Sequence, residues 1–126
     1  MLTQTNCPLD YSLCDQTVTV YRKLGQEIHR QVVENCYFQR QAERVTDALG
    51  SRGNYPFLLV IPGPIQQVFP GDRVVAGVGP EIGAEELAGF IPAKAAGVYE
   101  VAYVTPYYWD SAICHVEAGR KQGGYA

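Results

Sequence analysis

Glycine and proline interrupt this chain so often that short strands joined by tight turns suit it better than any other plan. Thirteen glycines and eight prolines are spread over 126 residues, too many breakers for a helix bundle. Between them lie short apolar runs of valine, isoleucine and tyrosine, side chains that fit a pleated, half-buried surface. The clearest is TVTVY at 17–21, which alternates and is β-branched or aromatic throughout. YPFLLVI at 55–61 is expected to be a buried strand, with Pro56 at its entry, where no ladder N–H is needed. Shorter strands are predicted at 73–78, 98–104 and 112–117, with Thr105-Pro106 ending the second of these. Phe69-Pro70-Gly71-Asp72 has the makings of a type II turn. Its proline presets φ at the first central position and its glycine allows positive φ at the second. Five or six strands with a turn signal about every dozen residues predict an all-β fold, a small antiparallel β-barrel or sandwich with long loops and an N-terminal arm.

Residues 26–49 read two ways. As a helix, Ile28, Val32 and Cys36 fall at fourfold spacing, as do Val33 and Tyr37, and Gly50 stands where a helix would stop. As strands, 28–38 carries Val32, Val33, Tyr37 and Phe38, with a break near 39–43. Periodicity alone slightly favours the helix. The domain layout is one body at 16–119, an arm at 1–15 and a polar tail at 120–126. A glycine- and alanine-rich loop at 79–97 carries a single helical turn at 84–87.

Ten basic and 13 acidic side chains give a net charge of −3, which argues against broad, non-specific DNA binding. The longest plain apolar run, FLLVI at 57–61, falls far short of the ~20 residues of a membrane helix. The MLTQTNC start has neither a basic nor an apolar signal-peptide region. Reduced thiols are therefore expected for Cys7, Cys14, Cys36 and Cys114, mostly as small buried hydrophobes.

No catalytic constellation emerges, and no enzyme activity, cofactor or metal is expected. Phosphate-loop, GxSxG and HExxH patterns are absent from the sequence. Cys114 and His115 are neighbours in a predicted strand and so point to opposite faces, where they cannot serve each other as nucleophile and base. Zinc held by Cys7, Cys14, Cys36 and His29 or His115 lacks the close ligand pairing of a structural site. Glu85-Glu86 reads as a solvated pair.

Two surface features carry positive signal. Tyr107, Tyr108 and Trp109 form a dense aromatic triplet, and at least one must face outward if the segment is extended. Arg40, Arg44 and Arg52 lie in one stretch opposed by Glu43 and Asp47, a candidate phosphate-facing segment with a solvated loop as the plainer alternative. Within 79–97, Ile82, Leu87, Phe90 and Ile91 are apolar anchors, able either to meet a partner or to cover one end of the chain's own barrel.

The order of segments resembles the minor-capsid or head-completion proteins of long-tailed bacteriophages, the stopper class of head–tail connectors. DQTVTVY at 15–21, HRQVVENCYF at 29–38, FLLVIP at 57–62, PGDRVVAG at 70–77 and HVEAG at 115–119 carry the resemblance, which runs from Asp15 to about Lys121. It implies a strand over 29–38 and a small β-barrel or sandwich. It further implies a homo-oligomeric ring in the virion neck, assembled in the host cytoplasm. Portal and adaptor proteins would lie on the head side and the tail terminator or tail tube on the other. Packaged DNA would pass through the ring's channel, and no reaction would be catalysed. On that reading Arg40, Arg44 and Arg52 are candidate channel residues. Ile82, Leu87, Phe90, Ile91, Tyr107, Tyr108 and Trp109 are candidate contacts with neighbouring subunits or partners. The 79–97 loop and the cysteine-bearing arm depart from the pattern. Two other readings stand beside it: a different tail component, such as a terminator or tube subunit, and a small binding module using Tyr107, Tyr108 and Trp109 as its platform.

Overall fold

The computed structural model describes residues 10–40, 56–90 and 97–121. The chain is all-β: β1 (Gln16–Leu24), β2 (Glu27–Arg40), β3 (Phe57–Pro62), β4 (Arg73–Ala76), β5 (Val98–Glu100), β6 (Tyr103–Trp109) and β7 (Ala112–Arg120), with one 3₁₀ turn at Ala84–Gly89. The strands form one antiparallel sheet in the order β5-β4-β1-β2-β3-β7-β6, curled into a half-barrel. Its two end strands, β5 and β6, are consecutive in the chain with only Val101 and Ala102 between them. The backbone of that corner is hydrogen-bonded. Gly71 N donates to Val101 O, Val101 N to Asp72 O and Ala102 N to Gly119 O, so the bend leaves these groups satisfied.

The ambiguous segment is a strand over its described part, not the helix that periodicity favoured. Val18 pairs with Val33 but Gln16 with Cys36, so two steps along β1 match three along β2. Asn35, at φ +59°, marks this bulge. The extra residue shifts the parity of β2, so that Val33 and Cys36 both enter the core. A bulged strand thus imitates the three-and-four spacing of a helix. The bulge also redirects the strand. Residues before it pair with β1, while Tyr37 to Arg40 pair with β3. The strand over 29–38 is the one that the resemblance implies.

Other boundaries move as well. Thr105-Pro106 does not end a strand: β6 runs through Pro106. As a strand at the end of the sheet, β6 has one edge where a missing N–H breaks no ladder. The expected 98–104 strand is instead two, bent at 101–102. β4 stops at Ala76, where Gly77 takes φ +78°, and β7 runs on to take in Arg120, the first residue of the expected tail. The turn at 69–72 matches expectation. Asp72 N donates to Phe69 O (3.0 Å) and Gly71 sits at φ +94°.

Val18, Val20, Leu59, Ile61, Val74 and Val116 fill the inner face. Phe38, Phe57 and Tyr99 close one side as a tilted triad with ring centroids 5.3 to 5.8 Å apart. Asp72 is buried but paired. Arg22 grips it through two bonds of 3.0 Å and lies over the Phe69 ring, which satisfies the carboxylate away from water.

β1 is buried on both faces from Val18 to Tyr21. Its outer face is covered by residues 77–90. Thr19 Oγ1 donates to Gly77 O (2.7 Å) and accepts from Gly79 N (2.8 Å). Tyr21 donates to Pro80 O (2.6 Å) and Arg30 Nη2 to Gly79 O (2.5 Å). The segment's own ring, Phe90, meets Tyr21 edge-on at 4.7 Å. Gly79 is required where it is, because a Cβ there would stand 2.3 Å from the Tyr21 hydroxyl.

Candidate functional site

The hairpin joining β6 and β7 turns on only two residues, Asp110 and Ser111, at φ +56° and +72°. Two consecutive positive φ values define the tight turn whose twist matches that of the flanking strands. It carries the aromatic triplet to the surface. Tyr108 is 64% exposed, Trp109 50% and Tyr107 43%. The hairpin is held firmly at its root. A bulge between Tyr107 and Tyr108 sets His115, rather than Cys114, opposite Tyr107. The two rings stack at 4.8 Å and 19°.

His115 is only 6% exposed and gathers a polar cluster that sequence reasoning missed. Tyr11, from the expected arm, donates its hydroxyl proton to His115 Nδ1 (2.5 Å). Glu117 lies 3.6 Å from Nε2. A carboxylate at Nε2 favours the proton there and leaves Nδ1 to accept, which matches the phenol's donation. Burial raises the Tyr11 pKa, with Cys14 and Glu117 adding to it. Burial also raises that of Tyr103, with Glu117 and Tyr107 contributing. These shifts keep the Tyr11 and Tyr103 phenols protonated, and the hydrogen bond ties Tyr11 to β7. No sequence signal could have found it, since Tyr11 and His115 are 104 residues apart and the bulge decides their meeting.

The cysteines divide. Cys14 and Cys36 are free. Burial pushes the Cys36 thiol up to about 11 and raises that of Cys14, which makes both poor nucleophiles at neutral pH. Cys114, at the β7 bulge, is disulfide-bonded, a correction to the expected reduced thiol. Cys7 lies outside the described residues. Among the described residues no cluster of three or more histidine, cysteine or acidic side chains could hold a metal. No helix there is long and apolar enough to cross a membrane.

Of the loop candidates, Leu87 is buried, at 7% exposure, which fits the reading in which the loop covers its own chain. Ile82 and Phe90 are half-buried in the same segment, and Ile91 lies outside the described residues. Of the arginine candidates, Arg40 ends β2, exposed, with its Nη1 donating to the Tyr99 hydroxyl (3.4 Å). Arg44 and Arg52 lie outside the described residues. Register sets Arg120 two strands from Arg40, a placement that sequence spacing could not give. Phe57 of β3 pairs with Arg40 on one side and Arg120 on the other, and Lys121 follows directly, with its ammonium 5.4 Å from the centroid of the Tyr103 ring.

Three comparisons, with models of known protein families, with curated proteins and with solved structures, find no match to this chain.

Proposed function

We propose that this chain is a structural subunit of a homo-oligomeric ring at a bacteriophage head–tail junction, joining the portal–adaptor complex to the tail and bordering the DNA channel. The observation that carries the reading is the hairpin. Two large aromatic side chains, Tyr108 and Trp109, stand half or more in water on a strand pair pinned by Tyr107, His115 and Tyr11. A rigid projection that leaves aromatic surface in water suits permanent contact with another protein. A ring subunit needs two unlike side surfaces for its head-to-tail closure. The small curled sheet and the strand at Glu27–Arg40 are in keeping with the sequence resemblance.

Quantitative mass spectrometry of purified, nuclease-treated particles tests the reading. A ring-like handful of copies per particle is expected. Absence from particles, with the chain abundant in the lysate, would overturn it. The same hairpin supports a second reading, a platform for a sugar or single-stranded nucleic acid, because exposed aromatics stack on such ligands. Trp109 is the one tryptophan, so unchanged fluorescence on adding either ligand class removes that alternative.

A further inference from the structure

We propose that Arg30 and Arg73, on either side of Tyr21 on the outer face of the sheet, form a site for a phosphate group. Register assembles it. Tyr21 of β1 pairs with Arg30 of β2 on one side and with Arg73 of β4 on the other. Partners in one cross-strand row project to the same side of the sheet. Val20 and Val74, the chain neighbours of Tyr21 and Arg73, enter the core, so this row faces away from it. Residues 77–90 cover the row, through the Tyr21 and Arg30 hydrogen bonds to Pro80 O and Gly79 O and through the Phe90 ring.

Among the described residues, just two buried side-chain nitrogen or oxygen atoms have no hydrogen-bond partner, Nε of Arg30 and Nε of Arg73. That both lie in one row, across one tyrosine, is the observation that carries the site. A guanidinium N–H taken out of water without an acceptor is costly, and an arginine cannot shed its proton to escape the cost. The acceptors at hand are already used. Gly79 O and Pro80 O take Arg30 Nη2 and the Tyr21 hydroxyl. Glu100, next in the row beyond Arg73, makes its ion pair with Arg120 at 3.7 Å. Glu86 of the covering segment accepts from Gly83 N at 2.6 Å, and its neighbours Glu81 and Glu85 are exposed. No described carboxylate pairs with either arginine. Two uncompensated guanidinium groups call for an oxyanion, which they recognise through several parallel N–H donors. The arginines stand two strand spacings apart, about 10 Å between backbones, and phosphate has oxygens enough to serve both where a carboxylate has two.

The test is proton–nitrogen NMR of the arginine Nε–H groups in the purified full chain, titrated with inorganic phosphate to 20 mM at constant ionic strength. The Arg30 and Arg73 signals, assigned by their loss in Arg30→Lys and Arg73→Lys, should shift together and saturate with one dissociation constant. The Arg22 and Arg120 signals should stay in place. Lysine keeps the charge and removes the Nε–H, so each variant should weaken phosphate binding about tenfold or more, the loss of one charge-assisted hydrogen bond. Lys121→Gln should change it less than twofold. Glycerol 3-phosphate, titrated separately, distinguishes the sources: binding like that of the free ion assigns the site to a terminal phosphate on a larger ligand, and binding of inorganic phosphate alone assigns it to the ion itself. No saturable shift, a shift in one arginine only, the same shift with sodium chloride, or an equal response to acetate would each overturn the assignment. The wild-type titration decides the matter even if a lysine variant fails to fold, and none of these results bears on the ring, which the particle copy number decides.

Discussion

Residues 77–90 and the β6–β7 hairpin both present apolar side chains on the outside of the same small sheet, and they meet opposite fates. The first lies flat on β1 and β2 because the strands offer it polar anchors. Thr19, Tyr21 and Arg30 bind the carbonyls of Gly77, Pro80 and Gly79, and Thr19 also receives the Gly79 N–H. Once the backbone is satisfied, Leu87 can be buried. The second is held by backbone pairing and, at its root, by the stack of Tyr107 on His115. A two-residue turn returns the chain immediately, and among the described residues its aromatics stay exposed. A loop becomes part of its own core when the sheet beneath it supplies hydrogen bonds to its backbone. Without them, its apolar side chains stay available.

Four changes would break or sharpen this contrast, from the largest effect to the smallest. Thr19→Val with Tyr21→Phe removes the polar anchors but keeps their shapes. Stranding the Gly77 carbonyl and Gly79 N–H should cost about 2–3 kcal/mol in urea unfolding and speed amide exchange across 77–90. Unchanged exchange there would mean that the anchors do not hold the segment. Leu87→Ala should cost about 2 kcal/mol, as for a buried leucine beneath a surface segment; a loss near zero would favour Leu87 as a partner contact instead.

Next, alkaline pH probes the inner face. The folded chain keeps the Cys36 proton up to about pH 11, while the unfolded thiol releases it near its ordinary value. Stability from this group is therefore whole below pH 9 and falls between 9 and 11, where the unfolded state binds fewer protons. Unfolding titrations should show that decline, and Cys36→Ala should make it shallower. A parallel decline in both proteins would assign it to the tyrosines instead. Last, Tyr108→Ser with Trp109→Ser should shift stability by no more than about 0.5 kcal/mol while stopping head–tail joining in particles. A large loss of stability would show that the hairpin serves its own fold.

Much of the fold was legible in the sequence, and the failures have physical causes. The TVTVY alternation, the Pro-Gly turn at 70–71 and the helical turn near 84–87 are local, and local chemistry fixed them. The segment at 26–49 misled because a β-bulge at Asn35 gives a strand the spacing of a helix. Pro106 misled because a proline forbids the middle of a sheet but not its edge, and position within the sheet is a tertiary fact. The candidate surfaces were half legible. Exposure of Tyr108 and Trp109 follows from a dense aromatic triplet on a strand, whereas the Tyr11–His115–Glu117 cluster depends on a bulge and on the path of the arm.

By itself the amino-acid sequence determined the all-β class, the tight turns and the presence of aromatic side chains that cannot all be buried, because strand propensity, proline φ and glycine freedom act over a few residues. The tertiary structure decided which strands bend, which loop is absorbed and which distant side chains meet, as Tyr11 does His115. Those outcomes depend on register between segments distant in sequence, and a shift of one residue reverses the face that a side chain occupies.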